Sequence, residues 1–464
     1  MIFFPMPPLH LGDLEIKTPI VQGGMGVGIS LSGLASAVAN EGGVGVIAAN
    51  AIGMIEPDYY QNGLQANCRA LRSEIAKARA RTSGVIGVNV MVALNDFPHL
   101  MRVVVEEKAD VVFMGAGLPI RNIPVAELRR AGVKVVPIVS SRRAADLIFK
   151  YWDKSYGDVP DGLVVEGPLA GGHLGFAPEK LTDPACQLEA VVPQVVEAVA
   201  PYAEKYGRSI PVIAGGGVYT GQDIHKLLSL GAAGVQMATR FVATDECDAD
   251  RRFKEAYVNC RAEDIVIIKS PVGMPGRAIG NRFLANAAAG IRNVKRCAWK
   301  CLESCDIAHA DYCISVALDN ARQGKLDGGF AFCGANAYRV EKIVPVHELV
   351  HGLRVEYESA VVREFTQLRD EYLKTMESGF RTLCGEFTQT AARMRLLRDE
   401  YLERKVVSLR EESERMRARL AELRQEGNAW IERLNQLKGR FPEKVRELQA
   451  FAQELQRDLL AVPV

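Results

Sequence analysis

The chain has 464 residues, 48% of them hydrophobic and 24% charged, with a formal net charge of +1 at pH 7. That balance is ordinary for a globular protein and makes no electrostatic case for nucleic acid or an anionic membrane as a partner. No apolar run reaches the ~18 residues of a membrane helix, and the N-terminal MIFFPMPPLHLGD lacks the basic start of a signal peptide. The expectation is therefore a cytoplasmic protein whose 10 cysteines are thiols or ligands rather than disulfides.

Short β-rich runs alternate with helical stretches from Ile16 to about Tyr257. The runs are Ile16–Val21, Val44–Ala48, Val85–Val90, Val111–Met114, Val133–Val139, Leu163–Val165, Pro211–Ala214 and Gly234–Met237. Eight strands, each followed by a helical pattern, predict an α/β fold of the (β/α)8 TIM barrel type. The runs are nearly unbroken Val and Ile, as parallel strands buried on both faces require. A doubly wound open sheet is the competing fold, but no G-x-G-x-x-G opens a helix after the first strand. The chemically distinctive residues follow the strands, at what would be the C-terminal mouth of a barrel: Gln22, Gly23, Gly24 and Met25, then Asn89, then Glu166.

The sixth strand runs into VVEGPLAGGHLGF, Val164–Phe176. Gly171 and Gly172 bring the backbone close to something, and His173 follows at once. A histidine placed this way fits a general base, since its ordinary pKa lies near neutrality; the structural alternative is a loop histidine satisfied by a carbonyl. After strands seven and eight come Gly215, Gly216 and Gly217, then Met237, Ala238 and Thr239. Loops at these two strands commonly hold a phosphate, with glycine backbone N–H groups facing the anion.

Cys297, Cys301, Cys305 and Cys313 lie in CAWKCLESCDIAHADYC, and Cys333 follows. Such a cluster suits an iron–sulfur cluster or zinc, although intervals of four would put three cysteines on one helix face, and packing as small apolar residues is the alternative. Gly334–Arg339 reads as a loop returning to the site or as a surface connection. From about Glu356 the composition turns to Glu, Arg, Lys, Leu and Gln, and LRDEYL occurs twice. Apolar positions Val361, Phe365, Leu368, Tyr372, Met376, Phe380, Leu383, Phe387, Ala391 and Met394 step by three or four, and Leu409, Met416, Leu423, Trp430 and Leu437 recur every seven. These predict a coiled-coil-like helical extension, folded back as a bundle, that makes the protein a homo-oligomer. The expected domains are 1–290, a barrel; 291–354, a cysteine-rich segment packed on it; and 355–464, the helical extension.

PIVQGGMGVGIS, GVNVMV, EGPLAGGHLG, PVIAGGGVYTG, GVQMATRF and GRAIGN occur in the order seen in FMN-dependent nitronate monooxygenases (2-nitropropane dioxygenases). The chain resembles that family over about residues 10–285, and it also resembles the related FMN-dependent enoyl-acyl-carrier-protein reductases. The resemblance implies non-covalent FMN at the barrel mouth. Gln22, Gly23, Gly24 and Met25 would lie along the flavin, and Asn89 would hydrogen-bond it. Glu166 would sit near the ring or ribityl chain. Gly172 and Met237 would also line the site. Gly215, Gly216, Gly217, Ala238 and Thr239 would hold the phosphate. His173 matches the family's active-site histidine. The implied activity is oxidation of an alkyl nitronate with O2; the alternatives are NAD(P)H-dependent reduction of an enoyl thioester or of a quinone. A non-catalytic flavin-binding module leaves the histidine unexplained. Leu169 departs from the family, whose best-known members carry an acidic residue before AGGH, and the cysteine-rich segment is not general in it.

Overall fold

The computed structural model describes residues 4–292, 297, 300–302, 305–306, 308–397, 406–438, 446, 449–451, 453–454 and 457. Eight parallel strands close into a barrel: β1 (Ile20–Gln22), β2 (Val44–Ala48), β3 (Val85–Met91), β4 (Val111–Gly115), β5 (Lys134–Val139), β6 (Leu163–Glu166), β7 (Val212–Gly215) and β8 (Gly234–Met237). Each strand pairs with the next in chain order, and β8 returns to β1 through Val235↔Ile20 and Gln236↔Val21. The fold is a TIM barrel.

All eight apolar runs became barrel strands, with one change. The run Ile16–Val21 divides at Pro19, which has no N–H to give to a ladder. Its first part pairs backwards, Leu14–Ile16 against Leu9–Leu11, and only Ile20–Gln22 enters the barrel. The division has a use. Leu9, Leu11 and Ile16 share one buried cluster with the inward side chains Val21, Val44, Val46, Val111, Phe113, Val136, Val164 and Ile213, so the hairpin packs into the barrel's own core. The interior is filled with side chains, as in barrels of this size.

The outer helices follow ordinary end chemistry. Arg142–Tyr156 is typical: Ser141 accepts a hydrogen bond from the Ala144 N–H at its start, and Gly157 at φ +61° closes it. Its Ala145, Ile148, Phe149 and Trp152 are buried. Past the barrel, Ile265–Lys269 and Pro275–Ile279 form an antiparallel hairpin, and Gly172–His173 adds to it as a third strand. This small sheet comes from loops far apart in sequence and sets up the site.

The chain forms two compact units, residues 5–357 and residues 1–4 with 358–464. In the second, helix Val346–Leu397 continues from the first unit and Val406–Lys438 packs antiparallel to it. Arg393 pairs with Glu412, Gly379 makes room for Leu423, and the rings of Tyr372 and Trp430 meet at 5.8 Å, so one helix rises as the other falls. Val361, Phe365, Tyr372, Met376, Leu383, Leu420 and Leu423 are buried. The expected single stripe on the longer helix is divided: Phe380, Phe387 and Met394 are 42%, 39% and 51% exposed. They run in seven-residue steps beside Tyr372 and Met376, which pack against Trp430 and Ile431. Leu437 lies outside the described side chains. No helix among the described residues is long and apolar enough to cross a membrane.

Candidate active site

A cavity of about 310 Å³ opens at the C-terminal ends of the strands, at the lower end of the size of ligand pockets. It is lined by Gly23, Gly24 and Met25 after β1, Asn89 in β3, Glu166 at the end of β6, Gly172 and His173, Gly216 and Gly217 after β7, and Met237, Ala238 and Thr239 at β8. The structure thus brings together residues spread over more than 200 positions. It leaves out two that the sequence suggested. Gln22 is fully buried between strands, where its Nε2 donates to the Gly23 carbonyl at 2.6 Å and its Oε1 accepts from the Val46 N–H at 2.9 Å. It therefore ties β1 to β2 rather than lying along a ligand. Gly215 is still within β7, paired with Gln236, and its backbone is part of the ladder.

The path from sequence to His173 is explicit. Gly172 has φ +76°, in the left-handed region, and a side chain at Gly171 would come within 2.6 Å of the Cys333 backbone. Only glycines allow this chain to cross so close to the Cys333–Gly334 segment and present His173 as an edge residue paired with Gly276. The imidazole Nε2 lies 2.8 Å from Ser270 Oγ, and its ring meets Phe332 edge-on at 5.1 Å. Burial pushes its pKa down to about 4, so the ring is neutral at physiological pH. Glu166 moves the other way: burial pushes its carboxyl up to about 7. Among the described residues, no Lys or Arg lines the cavity. The site is a pocket of mixed polar and apolar lining with no described cation, in which the one described carboxyl, Glu166, titrates near neutrality.

Arg277 braces the loop from behind, donating to the Pro168 carbonyl at 2.8 Å and to the Ala170 carbonyl. At the other end, Gly216 and Gly217 have φ +95° and +86°. A Cβ at Gly216 would meet the Gly167 carbonyl at 2.9 Å, so this loop is held against the His173 loop with bare backbone facing the cavity. The Gly334 N–H donates to Thr239 Oγ1 at 3.0 Å, and Asn336 Nδ2 donates to the Gly217 carbonyl at 2.6 Å. The Gly334–Arg339 segment therefore does return to the site and ties the two glycine-type loops together.

The sequence reading missed Ser270, Tyr257, Phe332 and the roof formed by Leu302, Ile314, Ser315 and Leu318. None of them sits in a local pattern. The cysteine-rich segment carries an isolated bridge, Leu94↔Leu302, and no helix among its described residues before Ile314. Cys301 is largely buried with its thiol pushed up to about 11, and its Sγ lies 3.6 Å from Ser315 Oγ. Among the described residues, no three His, Cys, Asp or Glu side chains gather where they could hold a metal ion. The iron–sulfur or zinc expectation finds no support, and the segment acts instead as cavity wall.

Crossed titrations give a first expected result. The Glu166 pKa is raised from 4.5 to about 7, so its contribution to stability is complete below pH 4.5 and is lost as pH rises through about 7. In cofactor-free protein, Glu166→Gln should therefore gain thermal stability relative to wild type over that window and hold the gain above it. Melting curves in which the difference stays flat with pH would show that Glu166 is not held in its neutral form.

A parallel barrel that gathers a neutral histidine and bare glycine backbone at its mouth has the form of a small-molecule site. The family model for nitronate monooxygenase matches residues 9–356, and the chain belongs to that family, which is generally FMN-dependent. The (3aS,4S,5R,7aS)-5-hydroxy-7a-methyl-1-oxo-octahydro-1H-indene-4-carboxyl-CoA dehydrogenase of Rhodococcus jostii (strain RHA1) is 29% identical over 280 residues, 60% of this chain and 67% of that protein. A probable nitronate monooxygenase of Staphylococcus aureus (strain Newman) is 29% identical over 307 residues, 58% of this chain and 78% of that one. FabK from Thermotoga maritima superposes with a TM-score of 0.59 at 27% identity, covering 76% of this chain and 96% of that structure.

Proposed function

We propose that the chain is an FMN-dependent reductase of an α,β-unsaturated thioester, using NAD(P)H as the electron source. The observation that carries this is a cavity without a cation: His173 is neutral, and no described Lys or Arg lines the pocket. An anionic nitronate entering it would lose its hydration with no cation to meet it, whereas a neutral thioester is accommodated. The similarity to an enzyme named for a carboxyl-CoA substrate supports the same class.

The residues present fit FMN. Gly23, Gly24, Met25 and Asn89 would hold the ring, and Gly216, Gly217, Ala238 and Thr239 the phosphate, through bare backbone and one hydroxyl. When bound, FMN supplies two-electron transfer between a reduced nicotinamide and a carbon–carbon double bond. His173 holds the thioester carbonyl. With the Ser270 hydroxyl donating to His173 Nε2, the ring proton is on Nδ1. Nδ1–H then donates to the carbonyl oxygen, where negative charge grows as the β-carbon is reduced. Phe332 and Leu302 keep water away from that oxygen.

A second reading, oxidation of alkyl nitronates by O2, is favoured by the family and by the relative of that name. Anaerobic mixing separates the two. NADH or NADPH should bleach the yellow protein rapidly under the first reading. Bleaching by propyl nitronate, with none by either nicotinamide, would select the second.

We also propose that the tail makes the protein a homo-oligomer through the exposed stripe Val362, Phe380, Phe387 and Met394. Light scattering on the full chain should give more than one protomer, and Phe380→Glu with Phe387→Glu should reduce it to a monomer with unchanged flavin content. A monomeric wild type removes this role.

A further inference from the structure

Beside the cofactor cavity, and sharing Tyr219 with it, lies a second, open groove of about 400 Å³ lined by Tyr219, Arg240, Arg339, Glu341, Lys342 and His351 among others. The guanidinium carbons of Arg240 and Arg339 stand 4.4 and 4.3 Å from the centre of the Tyr219 ring. Both guanidiniums are thus within cation–π reach of the same ring. Arg240 is fixed by donating to the Tyr219 carbonyl at 2.8 Å. The other charges differ. Lys342 is taken up by Glu348 at 2.7 Å, and Glu341 is the remaining carboxylate in the lining. Among the described residues, neither Arg240 nor Arg339 is in an ion pair. The groove presents two guanidinium groups that no described carboxylate pairs, the side chain best suited to a phosphate.

We propose that this groove is a second anion subsite, which takes the phosphate or pyrophosphate of a nucleotide co-substrate while its reactive end enters the cavity past Tyr219. The chemistry is shared by a reduced dinucleotide and by coenzyme A. The choice of occupant rests on the reductase reading; the anion subsite does not. The site is distinct from the Gly216–Gly217 and Ala238–Thr239 cradle, which lines the first cavity alone and offers backbone and one hydroxyl rather than guanidinium groups.

The test is calorimetric titration of the FMN-loaded full chain with inorganic pyrophosphate, NADH, NADPH and coenzyme A at low and high salt. Pyrophosphate and at least one nucleotide should bind, more weakly as salt rises. NADPH above NADH places the 2′-phosphate in the groove; equal binding of both places the pyrophosphate there; coenzyme A alone assigns it to the thioester substrate. Arg339→Gln, at an exposed position that folding does not depend on, should weaken that binding roughly tenfold or more, as loss of one charge-assisted contact does, and Arg339→Glu should weaken it further, with FMN content unchanged. Affinities within twofold of wild type for all four probes would overturn the proposal. So would loss of FMN with nucleotide affinity kept, which would assign the arginines to the cofactor phosphate. NADPH bound through Arg339 that fails to bleach the flavin would refute the reductase reading and leave the subsite standing.

Discussion

Replacing His173 with alanine is expected to lower kcat/KM by roughly 10²- to 10⁴-fold while the purified protein keeps its full flavin content. The separation of the two effects follows from where the imidazole sits. It is anchored by Ser270 on one nitrogen and by the T-shaped contact with Phe332, on residues that do not themselves belong to the bare-backbone cradle. Its removal takes away the donor to the reacting oxygen and leaves the cradle residues in place. Ser270→Ala should lose less, because the ring remains but its tautomer is no longer set. The neutral imidazole also fixes the pH profile. With a pKa pushed down to about 4, His173 should give no inflection between about pH 6 and 7, where an ordinary histidine titrates. A variant as active as wild type would take His173 out of the mechanism.

The second large effect is at Gly216. Gly216→Val should give protein that is colourless or nearly so, and that binds added FMN at least 10²-fold more weakly by fluorescence titration, on the order of 3 kcal/mol. The residue has φ +95°, which a β-branched side chain resists at a cost of about 1–3 kcal/mol. Its Cβ would also press on the Gly167 carbonyl at 2.9 Å and the Ala170 N–H at 3.1 Å. Both strains relax by moving the loop away from the His173 segment, so the phosphate cradle and the catalytic loop should fail together. Thr239→Ala, which removes one hydroxyl and frees the Gly334 N–H, should weaken FMN by far less. Normal FMN affinity in Gly216→Val would show that this loop does not hold the cofactor.

Much of the barrel was legible because its strands are short unbroken apolar runs ending in small or polar residues, and that pattern is local. Its bounds were misread only where Pro19 interrupts the first run and sends Leu14–Ile16 into a hairpin. The mouth residues were legible for the same reason: in a parallel barrel, whatever follows a strand faces one end. Gln22 shows the limit of that rule. It ends β1, but Val46 needed an acceptor inside the wall, and the side chain turned there. Ser270 and Phe332 could not be read, because they meet His173 from roughly 100 residues away or more and carry no periodic signal of their own; Asn336 belongs to the Gly334–Arg339 segment, whose return to the site was one of two readings. The metal expectation rested on the composition of the cysteine-rich segment, and no metal-holding group supports it among the described residues. The spacing of the cysteines matched a helix face, yet the described part of the segment is extended wall, with Leu302 pinned to Leu94. In the tail, a three-or-four step was correctly helical but did not say which side would be covered; the partner helix takes Tyr372 and Met376 and leaves Phe380 and Phe387 to solvent.

The most direct test of the central claim is a single-turnover experiment under anaerobic conditions. Protein reduced with one equivalent of NADPH or NADH is mixed with a crotonyl thioester, and the flavin absorbance is followed. The cation-free pocket and its neutral His173 predict full reoxidation of the flavin with stoichiometric formation of the saturated thioester, and His173→Ala should slow that step. Flavin that stays reduced with the thioester, but is formed from propyl nitronate and reoxidised only by O2, would contradict the account and establish nitronate oxidation instead.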